Sequence, residues 1–568
     1  MLMSSLQPFM LFYVAALLAL VTRGYLRAAI MLAAPILGGL RLWFGYEPGM
    51  VETYELLNYE LVILETDRLS LLFGYLFHIA GLIAVIYSLH VKDTVQHVAG
   101  LLYAGSALGA VFAGDLITLF LFWEMLALTS AFLIFARRTN RANRSGIRYL
   151  IFQVTSGVLL LAGALVLFQQ TGSLDFDYIG LEAGIAGWLI FFAFGIKCAF
   201  PFLHTWLTDA YPEATPTGAV FLSAFTTKVA VYALARGFPG TELLVYIGAA
   251  MTCFPIFFAV IENDLRRVLA YSMINQIGFM VCGVGLGTAL ALNGAVSHAF
   301  NDVIFKGLLF MTMGAVLHRV KHVNGSDLGG LYKTMPKTAM LCIVGAASIS
   351  AFPLFSGFVS KSMIVTAMVK EGYDVLWLML LFASAGVFHH AGIKIPYFAF
   401  FHHDSGLRVK EAPVNMLVAM TMAAVLCIFI GSYPQTLYSL LPWEVDYWPY
   451  DLTHTLTQLQ ILFFSALAFV WLNKQGLYPP ELRSVVLDTD WSYRKLLPAI
   501  GRGTHAATRQ AGAMLLSAVR APVYATRNGF RDTWMARYHL ASSWPTGSMA
   551  LWIIIILLGV LLADIVTA

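Results

Sequence analysis

Sixteen apolar runs, most of them near 20 residues, divide this chain: 8–22, 26–44, 68–91, 97–114, 116–136, 147–169, 184–207, 214–235, 241–262, 266–287, 289–318, 338–369, 375–401, 413–433, 456–473 and 549–566. A helix rises 1.5 Å per residue, so about 20 residues cross the roughly 30 Å of bilayer hydrocarbon. In lipid every backbone amide must be satisfied within its own segment or a closed barrel. Barrel strands alternate with period two, and these runs do not. The chain is therefore expected to be all-α, a polytopic membrane helix bundle. With 59% hydrophobic and 12% charged residues it lies far from the roughly 25% charge of soluble domains. The first run leads straight into a second, so no cleavable leader is expected. The bilayer is the expected surroundings, and nothing in the charge pattern points to nucleic acid.

Between the runs, charge sorts by side. Basic loops include 136–148 (ARRTNRANRSGIR), Arg266-Arg267, 318–337 and the loop with Arg408 and Lys410. Acidic loops include the segment with Glu52, Glu55, Glu60 and Glu65, LDFDY at 174–178 and WEVDYWPYD at 443–451. With these spans all basic loops fall on one side. The positive-inside rule makes that side cytoplasmic and both termini external, in the cell's inner (plasma) membrane. Residues 474–548 are the one long polar stretch, with ten Lys/Arg against four Asp/Glu. Interleaved apolar residues there suit a basic amphipathic helix lying in the interface, or a solvated linker.

Charge also sits where a bilayer tolerates it least. Glu124, Lys197, Lys228, Lys306, Lys361 and Lys394 lie within six different runs. Each costs about 2.5–3.5 kcal/mol on insertion scales, and intramembrane charge marks ion or proton pathways by default. An isolated carboxylate at Glu124 would be held neutral, and a nearby lysine would restore its charge. Lys197 lies one turn before Pro201, and a proline frees a carbonyl and opens a gap for water. His298, Asp302 and Lys306 are spaced i, i+4, i+8, on one helix face over about 12 Å. They could form a proton path, or Asp302 and Lys306 an inert ion pair. His390 and Lys394 extend the candidate pathway, whereas His402 and His403 read as surface residues. The string Ala-Phe-Pro occurs at 199–201 and again at 351–353, near Lys361 and Gly357. Pro201, Pro353 and Gly357 thus mark two discontinuous helices, the sign of an inverted repeat with a mid-membrane site. The five cysteines form no metal or disulfide spacing, so no metal and no cofactor are expected.

Together, FLFWEML around Glu124, FGIKCAFPFLHTWLTDAYPEATPTG around Lys197 and LSAFTTKVAVYAL around Lys228 resemble the antiporter-like family. So do ENDLRRVLAYSMINQIGFM at 262–280, FKGLLFMTMGAVLHR around Lys306 and FPLFSGFVSK at Lys361. That family comprises the large membrane subunits of complex I, membrane-bound hydrogenases and Mrp-type Na⁺/H⁺ antiporters, and the D-type subunit of the Mrp antiporters looks closest. The resemblance implies about 14 core helices with two inverted five-helix repeats, a lateral helix and a terminal anchor. It assigns Glu124 to the family's fifth helix, Lys197 to the broken seventh and Lys228 to the eighth. Lys306 becomes the central lysine of the eleventh, and Lys361 the terminal position of the broken twelfth. Where members often carry a histidine a turn before the central lysine, this chain has Asp302, with His298 a turn earlier.

The implied division is 1–67, N-terminal helices and an external loop; 68–435, the translocating core; 436–473, an additional span; 474–548, the lateral helix or linker; and 549–568, the anchor. The implied function is proton translocation, in exchange for Na⁺ or another monovalent cation, alongside other membrane subunits. Such a chain is a transporter subunit rather than an enzyme. The alternative is the pumping module of a complex I-like, hydrogenase or bicarbonate-uptake assembly. A scaffold with a dead channel is the third reading, and the intact row of charges argues against it.

Overall fold

The computed structural model describes residues 7–56, 59–444, 446–483, 486–534 and 546–567. It forms two units, Met1–Val486 and Leu487–Ala568. In the first, α1 (Pro8–Val21) and α2 (Gly24–Gly45) precede an antiparallel hairpin of β1 (Val51–Leu56) and β2 (Tyr59–Glu65), then α3 (Arg68–Ser88). Where a loop was expected before α3, this hairpin lies over the turn that starts α5: the Val62 N–H donates to the Asp115 carboxylate at 2.8 Å.

Two sets of five crossings follow. The first is α4 (Thr94–Phe112), α5 (Leu116–Phe135), α6 (Asn140–Thr171), α7 (Ile185–Lys197) with α8 (Thr205–Ala210), and α9 (Gly218–Ala224) with α10 (Thr226–Gly237). The second is α11 (Leu243–Ile261), α12 (Leu265–Leu286), α13 (Ala289–Val320), α14 (Pro336–Ile349) with α15 (Ser356–Lys370), and α16 (Asp374–Val387). The last continues through π-helical turns at Phe388–Ile393 and Tyr397–Phe401, which flank α17 (Lys394–Pro396). Then come α18 (Val414–Ser432), a short α19 (Gln435–Tyr438) and α20 (Leu452–Lys474). Acid and threonine side chains cap the helix starts, Asp67, Asp93, Asp115, Thr139, Asp264, Thr288 and Asp451 among them. Each satisfies amides that lipid could not.

An odd number of crossings per set starts the second set on the opposite face, so the repeat is inverted. Its halves match in detail. Asp115 and Asp264 each cap a helix and each bridge to a residue 60 further on, Asp175 and Asn324. Both helix interruptions carry the same backbone: Ala199 and Phe202 have φ of 60° and 68°, Ala351 and Leu354 have 56° and 72°. In both, the residue before proline closes the preceding helix, Phe200 N–H to Gly195 O and Phe352 N–H to Ala347 O, each at 3.0 Å. Pro201 and Pro353 lie in these interruptions. Gly357 instead sits in the first turn of α15, where a Cβ would strike the Ser348 carbonyl. It lets α15 start against the end of α14.

Thirteen helices among the described residues are long and apolar enough to cross a membrane, with shorter apolar helices at α1, α7 and α14. The Gly218–Gly237 and α12 spans are wholly buried, whereas the α20 span is 17% buried. Ion pairs tie the loops together: Arg138 pairs with Asp93 at 3.2 Å and Lys333 with Asp404 at 2.6 Å. Arg266, fully buried near the start of α12, donates to the carbonyls of Tyr211, Pro212, Ala214 and Thr215.

The first unit runs past α20. Tyr478 packs with Phe398 and Phe469, and Arg483 pairs with Asp327 at 2.8 Å. The unit ends at Val486. The second unit holds α21 (Leu497–Trp534) and α22 (Thr546–Thr567). Arg502, Arg509, Arg520 and Arg527 recur at intervals of 7, 11 and 7 residues on α21, so all four fall within about 20° on one face. Residues 535–545 of the expected amphipathic stretch lie outside the described residues.

Candidate functional site

The interrupted helices create free carbonyls inside the bundle, and the buried lysines use them. Lys228 donates to Ser223 O at the end of α9 (3.2 Å) and Lys361 to Ile349 O, the last residue of α14 (3.3 Å). Helix C-termini concentrate partial negative charge, so they solvate an ammonium where water is scarce. Lys197, the last residue of α7, reaches across to Trp123 O at 2.6 Å and lies over the Trp123 ring at 4.5 Å. Trp123 is held by Ser156, which itself donates to Ala193 O. This cation–π platform was legible only as the tryptophan beside Glu124.

Glu124 and Lys197 were expected to pair. Among the described residues no ion pair joins them, although they are electrostatic neighbours. Glu124 is half-buried and lies against Gly157 of α6, which has no side chain to displace it. Its Oε1 has no hydrogen-bond partner.

Asp302 departs from the expected line along α13. It pairs with Lys228 at 2.5 Å, both fully buried, and not with Lys306. Lys306 donates to Ser272 on α12 at 2.9 Å. His298 bonds sideways too, to Ser360 at 2.9 Å and Gln276 at 3.1 Å, and Gln276 continues to Asn275. The three residues share a face, but their polar contacts run across the bundle. Lys361 adjoins Phe279 at 4.9 Å and opens on a cavity of about 370 Å³ lined by Ser362, Asp451, His454 and Gln458. Asp451 belongs to the acidic WEVDYWPYD loop, so this cavity joins Lys361 to that loop.

Lys394 sits at a helix end. Its ammonium caps the end of α11, on Ala259, Val260 and Glu262 carbonyls at 3.2, 2.6 and 2.7 Å, and pairs with Glu481 at 2.8 Å. Glu481 comes from the segment after α20, where only its polar, proline-flanked surroundings could be read. His390 is fully buried beside the Gly386 backbone, and Lys306 is its strongest charged neighbour.

Residues 113–388 match the family described as NADH:quinone oxidoreductase/Mrp antiporter, transmembrane. The match spans just under half of the chain. Hydrogenase-4 component B of Escherichia coli K12 is 28% identical over 64% of this chain and 62% of its own length. The A-type subunit of the Na⁺/H⁺ antiporter of Alkalihalophilus pseudofirmus is 30% identical over 65% and 52%, and the D-type subunit from that organism 28% over 58% and 72%. The chain thus spans between half and two thirds of the first two of these relatives. In fold it superposes on a chain of the Mrp complex from Dietzia (TM-score 0.73, 23% identity, 99% of this chain and 62% of that one). A chain of the membrane-bound sulfane sulfur reductase, an archaeal respiratory membrane complex, gives the same score and identity over 99% and 100%. This is a multi-pass membrane protein. The matched residues include Glu124, Lys197, Lys228, Asp302, Lys306 and Lys361, whereas Lys394 and Glu481 lie beyond the matched end.

Proposed function

We propose that this chain translocates protons as a membrane subunit of a multi-subunit Mrp-type antiporter, in exchange for Na⁺ or another monovalent cation. One observation carries the reading: four buried lysines, Lys197, Lys228, Lys306 and Lys361, share a bundle interior with the carboxylates of Asp302 and Glu124. Uncompensated buried charge is costly, and a fold that served only as a scaffold would gain by replacing it with apolar residues. Backbone carbonyls hold the ammonium groups of Lys197 and Lys361, and a serine hydroxyl that of Lys306, without neutralising them, which leaves each free to give up a proton. In this reading charge moves laterally from Glu124 through Lys197, Lys228 and Lys306 to Lys361 and its cavity. The positive-inside rule makes the basic face cytoplasmic, in a plasma membrane. The partners are other membrane subunits, as the names of the two antiporter relatives suggest. The similarity to hydrogenase-4 component B supports a second reading, a pumping module driven by redox chemistry on other subunits.

The test is proton exchange in everted vesicles. Glu124→Gln and Glu124→Ala should abolish exchange while the protein still inserts. Lys197→Arg combined with Lys306→Arg should also be inactive, because arginine cannot release its proton. Normal exchange in Glu124→Ala would remove that carboxylate from the path. Na⁺ or K⁺ should collapse a preformed ΔpH under the antiporter reading. A ΔpH that responds only to an electron donor would favour the redox-driven one.

A further inference from the structure

We infer that Glu481 and Lys394 form a proton-loading site on the basic face, which charges the buried row through His390; the inference deepens the proposed function and rests on it. Lys394 is fully buried with four acceptors, three of them carbonyls at the end of α11. The fourth is Glu481, whose side chain is 5% exposed. Glu481 also lines a cavity of about 360 Å³ with Ser326, Asn473, His402 and His403, residues of the basic face. That volume holds several waters. One carboxylate therefore stands between cavity water and a buried ammonium.

A static clasp is the competing account, and the carboxylate's surroundings fit it poorly. A clasp would satisfy the roughly four lone-pair sites of an ionised carboxylate. Here, apart from the ammonium, nothing hydrogen-bonds either Glu481 oxygen among the described residues. Burial pushes the Glu481 carboxyl above the ordinary glutamate range, against the pull of Lys394, and the Glu262 carboxylate pushes the same way. Its other titratable surroundings are His389 and His390 on the π turn, Arg267 paired with Glu262 at 3.7 Å, Tyr478 on its own segment, His402 and His403 across the cavity, and the Asp327–Arg483 pair. π turns of this kind recur at functional sites, and this one places His390 one turn before Lys394.

The step balances on one proton. Cavity water gives it to the Glu481 carboxylate, and the pair passes from neutral to a net single positive charge. Lys394 is then an uncompensated cation beside His390, whose buried imidazole neighbours Lys306. The added positive potential drives a proton already on the row away from this end, towards Lys361 and its cavity. Passage of the Glu481 proton to the row through His390 restores the carboxylate and the ion pair.

The experiment uses the full chain in its native complex, in everted vesicles, with assembly read on native gels and initial proton-uptake rates read across pH. Glu481→Gln should assemble normally, lose at least about tenfold in rate and lose the acid limb of the pH profile. The charge swap Lys394→Glu with Glu481→Lys should keep assembly but not restore that limb. A wild-type profile in Glu481→Gln, or a swap that assembles with a wild-type profile, overturns the proposal and leaves a clasp. Should Glu481→Gln fail to assemble, Glu481→Asp decides: a displaced acid limb supports loading, an unchanged one overturns it. Glu124→Ala runs beside these as the control. If it is inactive while Glu481→Gln is normal, only the loading site fails; if it is active while Glu481→Gln loses its acid limb, only the path through Glu124 fails.

Discussion

At the scale of single residues, the site is a problem of solvating cations without water. Lys228 shows how two solutions combine, a helix-end carbonyl and the Asp302 carboxylate. Removing one partner of a buried pair strands the other charge, so Asp302→Asn should cost about 3–5 kcal/mol of stability. Replacing both, with Lys228→Met and Asp302→Val, should be close to neutral for stability and still abolish transport. Thermal unfolding in detergent, compared with vesicle exchange, separates the two effects; a stable and active double variant would remove the pair from the pathway. Gly157 is the second residue-scale test. A methyl there collides with Glu124, so Gly157→Ala should turn the carboxylate out and reduce exchange as Glu124→Ala does. Wild-type exchange in Gly157→Ala would show that the contact with α6 is dispensable.

At the scale of elements, the interruptions matter more than the helices. Ala199 and Ala351 hold left-handed backbone that costs an L-residue about 1–3 kcal/mol, and both are buried. Ala199→Gly should relieve that strain and keep or raise stability, whereas the β-branched Ala199→Val should lower it by more than 1 kcal/mol or so. A rise in melting temperature for the valine variant would mean that the turn is not held in this conformation. The prolines at 201 and 353 could be read as breaks directly. The one-residue interruption at Phe225, between α9 and α10, could not, because SAFTTKVAVYAL carries no proline or glycine.

At the scale of the whole molecule, the division between bundle and tail determines what can be removed. Ending the chain after Val486 should leave the first unit folded. Ending it after Lys474 should not, because Tyr478, Glu481 and Arg483 go with it and Lys394 is left buried without its counter-ion. Melting of the two truncated proteins in detergent checks this, and equal stability would show that the 475–486 segment contributes nothing. The tail itself is proposed as a clamp on neighbouring subunits. Its α21, about 57 Å long at 1.5 Å per residue, carries four arginines on one face. Loss of the complex on native gels after the Val486 truncation is the expected result.

Hydropathy and charge are properties of composition, so the spans and the identities of the buried cations were readable along the chain. The inverted repeat was readable for the same reason, through two copies of Ala-Phe-Pro. What the tertiary structure decided was who faces whom. Asp302 turns to Lys228, 74 residues away, rather than to Lys306 one turn on, because α10 brings its ammonium closer than α13's own next turn does. Glu124 rests on Gly157 instead of pairing with Lys197, and Lys394 finds Glu481 from beyond α20. Partner choice among buried charges depends on ångström-scale distances between helices remote in sequence, and no periodicity within one helix encodes those distances.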